Sequence, residues 1–423
     1  MKQTLKAVRS AVVDHPAIFR LRRRREAHLL SGLVVGADRR PDYHVLLPSS
    51  SEVKGSVGDQ AMVQAFVENV ASPIVIVKLS HDDDVVPVGA DEAVTAVSIP
   101  GLVDGSVVRT RETLSEFGRL LEGAASFSVI GADVIDGAYS YRRSVQRITA
   151  AMYAARAGVD TRILGFSWNE RPDPRAAEAL REAARAGVRV LVRDPVSERR
   201  LRAVVGDGVM RTADLVFSAR SVDETVREGV APGLDAPFVV LNANGLIGRT
   251  FDQAPDYLRL VDWVVSRGLQ VVLVPHDSRR GVEDVAECRR IFERCPAAGS
   301  SVFLVDRLLR PHQIRGLLRG AECVLSGRMH LSIMALWSGV PAVTLAYQGK
   351  VEGLMEMFDT PSLTVAPAPG FADRAIAVLE DVLAERSSYR AKVASGLERA
   401  RALSRNNFSG LPLRDQRAAE ATA

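Results

Sequence analysis

The sequence predicts an α/β protein made of two Rossmann-like, doubly wound domains facing a cleft. Three observations carry this expectation. Short Val/Ile/Leu-rich runs alternate with helical stretches along the chain, as in parallel sheets covered on both faces. The alternation restarts after a Pro- and Gly-bearing stretch at 220–237. A length of 423 residues accommodates two domains of ordinary size.

In the first half, strands are expected at 43–48, 73–79, 126–130, 162–168 and 188–192, with helices at 140–157 and 173–186 among the intervening segments. The second of these helices has Pro174 in its first turn and Gly187 just past its end, a start and stop pair that matches the asymmetry of helix termini. In the second half, strands are expected at 237–241, 269–275, 301–305, 322–325 and 341–346, with helices at 253–266, 282–294, 311–319 and 329–338. One long helix, about 372–404, follows the Ala-Pro-Ala-Pro-Gly segment. This divides the chain into an arm (1–40), a first α/β domain (41–225), a second (226–370) and a C-terminal helix and tail (371–423).

Composition narrows the partners. The chain has 55 Lys+Arg against 51 Asp+Glu and a sequence pI of 9.1. Residues 1–31 hold eight basic and two acidic side chains, so the other 392 carry a net −2. A body-wide basic groove for nucleic acid is therefore disfavoured, and 5% aromatic residues leave little for base stacking. Three cysteines (Cys288, Cys295, Cys323), with no CxxC, argue against a disulfide scaffold or a structural zinc. No apolar run reaches the roughly 18 residues of a membrane span. Charges occupy the place of a signal-peptide core, so a cytoplasmic protein is expected. The arm, with Arg22–Arg25 beside Ile18, Phe19 and Leu21, suits peripheral contact with the anionic inner membrane face. It equally suits a basic helix that packs on the body.

In doubly wound folds ligands bind outside the carboxyl ends of the strands, so the segments just after them are the candidates. Gly55-Ser56-Val57-Gly58-Asp59-Gln60-Ala61 follows the first strand. Its glycines would let backbone N–H groups approach an anion or a sugar at a helix N-terminus, although it is neither a Walker A loop nor a GxGxxG fingerprint. Gly131-Ala132-Asp133 ends the third, where Asp133 and Asp136 could accept hydrogen bonds from hydroxyls or serve as turn residues. Arg193-Asp194 ends the fifth, offering a guanidinium to an anion or a salt bridge plus a helix cap. Val274-Pro275-His276-Asp277 places another histidine at a strand end. Ser326-Gly327-Arg328-Met329-His330 is followed, one helix and one strand later, by Tyr347-Gln348-Gly349-Lys350. A helix N-terminus with Arg328, Lys350 and His330 describes a seat for a doubly anionic small molecule beside an acid–base group.

These pieces, taken with Thr212-Ala213-Asp214, Ser197, Asp284 and the Gly339–Pro341 turn, resemble the polysaccharide pyruvyl transferase family across roughly residues 43–358. The resemblance implies a glycosyltransferase-B-like fold and phosphoenolpyruvate as donor. It also implies a sugar diol of a cell-surface glycan or glycolipid as acceptor, a pyruvate ketal as product and no cofactor or metal. His330, Arg328 and Lys350 would be catalytic. Arg193, His276, Ser326, Gly327, Arg328, Met329, His330 and Lys350 would hold the donor, and Gly55, Gly58, Asp59, Gly131 and Asp133 would face the acceptor. His330, surrounded by cations, needs a carboxylate partner that the sequence does not name. One departure stands out: the family's glycine triplet is replaced by Gly131-Ala132-Asp133, which leaves acceptor identity open. Two other readings remain at this stage. One is a nucleotide-sugar glycosyltransferase with Glu352 clamping a ribose; the other is a non-catalytic partner in glycan assembly.

Overall fold

A computed structural model describes residues 41–71, 73–106, 109–279, 281, 283–296, 299–346 and 351–414, together with 21, 24–26 and 28 of the arm. Two all-parallel sheets organise the chain. The first contains β1 (Tyr43–Leu47), β2 (Ile74–Lys78), β3 (Val94–Ser98), β4 (Ala124–Ala132), β5 (Asp160–Phe166), β6 (Arg189–Val192) and β7 (Val209–Arg211), in the order β3-β2-β1-β4-β5-β6-β7. The second contains β8 (Phe238–Asn242), β9 (Gln270–Leu273), β10 (Val302–Leu304), β11 (Ala321–Ser326), β12 (Ala342–Leu345) and β13 (Thr364–Val365), in the order β10-β9-β8-β11-β12-β13. Both sheets thus reverse direction at one place, between β1 and β4 and between β8 and β11, and a doubly wound sheet opens a crevice at such a reversal.

The helix Val57–Asn69 follows β1 and lies between the two halves. Eleven of its thirteen residues are buried, and its apolar side chains face all directions rather than one stripe. It packs against the helix Pro311–Leu318 of the second half and the short turn Leu215–Ser218. Its residues belong to the same apolar core as β8, β9 and β11. Further links close the back of the cleft: Trp337 Nε1 donates to the Ala219 carbonyl (3.1 Å), and Arg315 Nε to the Ser221 carbonyl (2.9 Å).

The expected long C-terminal helix is two, Phe371–Ala384 and Arg386–Arg405, which part at Glu385. The second turns back to the first half, where Asn407 Oδ1 accepts from Gly165 N (3.0 Å) and Asn407 Nδ2 donates to the Ala213 carbonyl (2.9 Å). In the arm, Glu26 is buried, pairs with Arg109 (2.8 Å) and accepts from the Arg109 amide (2.9 Å), while Arg24 and Arg25 face solvent. This part of the arm is docked on the first domain, as expected of a basic helix that packs on the body. Among the described residues no helix is long and apolar enough to cross a membrane. Cys288, Cys295 and Cys323 are all buried and free.

Candidate active site

The ends of β1, β4, β9 and β11 meet in a cleft of about 470 Å³. The first domain supplies the loops after β1 and β4 and one face of the helix Tyr141–Arg156. The second supplies His276–Arg279 and Gly327–His330. Main-chain hydrogen bonds stitch the two walls at one rim: Val57 N donates to the His276 carbonyl (3.1 Å), and Ser278 N to the Gly55 carbonyl (2.9 Å).

His330 sits in the first turn of the helix Met329–Trp337, just after β11. Its side chain is 17% exposed, and its Nε2 lies 3.5 Å from Asp214 Oδ2. Asp214 comes from the other domain, where it caps the turn Leu215–Ser218 by accepting from Val216 N (3.0 Å). Arg193 Nη1 contacts the same Oδ2 at 2.8 Å. Burial alone would raise the Asp214 pKa, but His330 and then Arg193 hold it well below the usual carboxylate range. Asp214 is thus an anion fixed between a permanent cation and the imidazole. It is a carboxylate beside His330 of the kind that the sequence left unnamed.

The glycines after β1 act differently from the sequence expectation. A Cβ on Gly58 would lie 2.5 Å from His330 Nδ1, and one on Gly55 2.7 Å from Arg279 Cγ. Their lack of a side chain makes room for residues of the opposite domain. Asp59, beside them, accepts from Ser49 Oγ (2.7 Å) and pairs with Arg279 (3.2 Å) across the cleft.

Arg328 lines the cleft, yet its charge is already matched. Its Nη2 and Nε reach Asp284 at 2.6 and 3.0 Å, and its Nη1 lies 3.8 Å from Asp277. Asp284 is fully buried and also accepts from Gly245 N (2.8 Å) and His276 N (3.1 Å). His276 lines the same wall, and neither ring nitrogen has a hydrogen-bond partner among the described residues. Burial, then the neighbouring His330 and Arg328, push its pKa far below that of a free histidine, so the ring is neutral.

Other expected residues lie behind the wall or elsewhere. Arg193 is buried and spends its guanidinium on Ser167 Oγ (2.8 Å), Asp214 and the Met329 sulfur (3.3 Å), so it orients Asp214 rather than projecting into the cleft. The expectation that Arg193 meets an anion directly is corrected by that geometry. Ser326 is buried, with its Oγ accepting from Arg328 N (2.9 Å). Gly327 and Met329 line the cleft. Gly131 packs under β5, where a Cβ would come 2.6 Å from that of Phe166, while Asp133 reaches the cleft and accepts from the Tyr139 hydroxyl (3.0 Å). Ala132 between them has φ +45°, the left-handed region that suits glycine. Lys350, with residues 347–349, lies outside the described residues. Glu352 is not among the residues lining the cleft.

Sequence reasoning assigned no role to Asp214, Asp284, Arg143 or Arg147. Asp214 and Asp284 are among the pieces that carry the family resemblance, but only the fold brings them to His330 and Arg328. Arg143 and Arg147 carried a readable signal, since basic residues one turn apart near a helix N-terminus oppose the helix dipole.

Comparison with known proteins agrees with this architecture. The family model for polysaccharide pyruvyl transferase matches residues 57–349, well over half the chain, and the chain belongs to that family. No curated protein matches it by sequence. Among solved structures it is similar to the UDP-GlcNAc 2-epimerase of Methanocaldococcus jannaschii, at TM-score 0.51 and 12% identity, covering 81% of this chain and 92% of that one. It is also similar to an α,α-trehalose-phosphate synthase (UDP-forming) from Burkholderia xenovorans, at TM-score 0.51 and 13% identity, covering 87% and 99%. These likenesses establish the glycosyltransferase-B-like fold. Family membership makes the chain a transferase of polysaccharide biosynthesis.

Proposed function

We propose that this member of the polysaccharide pyruvyl transferase family moves the enolpyruvyl group of phosphoenolpyruvate onto two hydroxyls of a sugar in a cell-surface glycan or glycolipid, forming a pyruvate ketal. The observation that carries the reading is the His330–Asp214 couple, to which each domain contributes one member. Protonated His330 gives its proton to the methylene carbon of the donor, creating an oxocarbenium-like carbon beside the carboxylate. The first sugar hydroxyl adds to that carbon and returns a proton to the imidazole. The bond to the phosphate oxygen then breaks and the second hydroxyl closes the ketal. Of the two diol protons, one ends on the new methyl group and the other leaves with inorganic phosphate. Asp214 stabilises the imidazolium before and between these transfers, and Arg193 keeps the carboxylate aimed. Arg328, Met329, His276 and Lys350 are the proposed donor contacts, and Asp59 and Asp133 the proposed acceptor contacts. The unpaired nitrogens of His276 are ready to meet a donor oxygen. The solvent-facing Arg24 and Arg25 offer a weak electrostatic contact for an anionic membrane surface, where a lipid-linked acceptor would be met.

The test is phosphate release from phosphoenolpyruvate in the presence of a glycan acceptor. His330→Ala should lower the rate by about 10²–10⁴-fold, the usual worth of a positioned acid, while donor binding persists. Near-wild-type turnover in that variant would remove His330 from the chemistry. Thermal stabilisation by UDP or GDP but not by phosphoenolpyruvate would instead favour a nucleotide-sugar transferase.

A further inference from the structure

On the first-domain side of the cleft, the helix Tyr141–Arg156 brings Arg143 and Arg147 to the wall, one turn apart. Neither has a carboxylate partner among the described residues. Arg147 is 4% exposed; one Nη donates to the Ser49 carbonyl, and its Nε has no hydrogen-bond partner among the described residues. Arg143 is exposed to the cleft, and Asp59, the acid that acts on Arg147, is already engaged by Ser49 and Arg279. Burial and then the charge of Arg143 lower the Arg147 pKa to about 10, which leaves it protonated at neutral pH. The placement is costly twice over. The helix has no acidic residue in its first turn, so cations sit at its positive end, and a guanidinium is buried next to another. A fold has no reason to keep such a pair for stability. Ser50, Ser51 and Ser140 line the same cleft.

We infer that Arg143 and Arg147, with the Ser50 and Ser51 hydroxyls, form a seat for a phosphate-class anion on the first-domain wall, opposite His330. The inference rests on the pyruvyl-transfer reading only for what the anion belongs to. It is either the phosphate of the donor or a phosphate that links the acceptor sugar to its carrier. The guanidinium fork and a ring of hydroxyl donors suit the oxygens of either group.

The experiment is isothermal titration of the full chain with phosphoenolpyruvate and, separately, with inorganic pyrophosphate, at fixed low salt. Arg143→Gln is the first variant, because that side chain is exposed and its loss leaves the fold intact. Arg147→Lys is the second, keeping the charge while losing the fork. A fall of about tenfold or more in phosphoenolpyruvate affinity assigns the seat to the donor. The same fall for pyrophosphate alone assigns it to a carrier phosphate. If both variants, folded as judged by circular dichroism, keep both affinities within twofold, the seat does not exist. Failure of the parent reading looks different: wild-type protein would release no phosphate from phosphoenolpyruvate with any acceptor, while pyrophosphate binding would still depend on Arg143.

Discussion

On the second-domain wall of the cleft, Arg328 and Arg279 each lie against carboxylates, Asp284 and Asp277 for the first and Asp277 and Asp59 for the second. On the first-domain wall, Arg143 and Arg147 have no such partner among the described residues. The two pairs do different work. A guanidinium locked to a buried carboxylate shapes the wall and aims its neighbours, but it presents little net field to a ligand. An unpaired one presents its full charge. Among the described residues the second-domain wall is the electrically quieter of the two, and the helix Tyr141–Arg156 carries the field.

Separating the walls experimentally starts with the largest expected effect. Arg328→Gln removes the partner of a fully buried Asp284 and should cost about 3–5 kcal/mol of stability, read from chemical denaturation. Arg143→Gln should stay within about 0.5 kcal/mol of wild type. Equal losses in the two variants would erase the distinction between a carboxylate-locked cation and one without such a partner.

A smaller effect concerns pH. His276 is neutral in the folded chain and titrates near pH 6.5 when unfolded, so the unfolded state binds the extra proton. Stability should therefore fall on acidification below about pH 6.5, by about 1.4 kcal/mol per pH unit from this one group. His276→Gln should lose that component of the slope between pH 6.5 and 5.5. An identical slope in both proteins would mean that His276 is protonated in the fold. Asp214 acts in a lower window: its folded pKa is depressed, so its contribution is complete above about pH 4 and fades only as the pH drops towards the folded value.

The smallest effect lies at the loop after β4. Ala132 at φ +45° carries left-handed strain of about 1–2 kcal/mol, and glycine would remove it at an entropic cost of about 0.5–1 kcal/mol. Ala132→Gly should thus be neutral or stabilising by up to roughly 1 kcal/mol. Destabilisation by more than that would show that the alanine methyl packs productively.

Most strands were legible because buried parallel strands read as continuous apolar runs. The exceptions have physical causes. In β3, Thr95 and Ala96 are exposed, as an edge strand allows, so no apolar run marks it. β7 and β13 span only three and two residues. The break at Glu385 has no helix-breaking residue to announce it; the last helix passes the second domain's Phe358 ring, 2.5 Å from where a Cβ on Gly396 would lie, on its way to the first domain.

The sequence by itself determined the two-sheet α/β class and singled out the strand ends and His330 as candidates for the chemistry, because those depend on local pattern and residue type. The tertiary structure alone decided that Asp214 partners His330, that Gly55 and Gly58 make room for the facing domain, and that Arg328 and Arg193 are neutralised while Arg143 and Arg147 are not. Charge pairing and close approach are relations between residues distant in sequence, some of them here from opposite domains, and no local pattern encodes them.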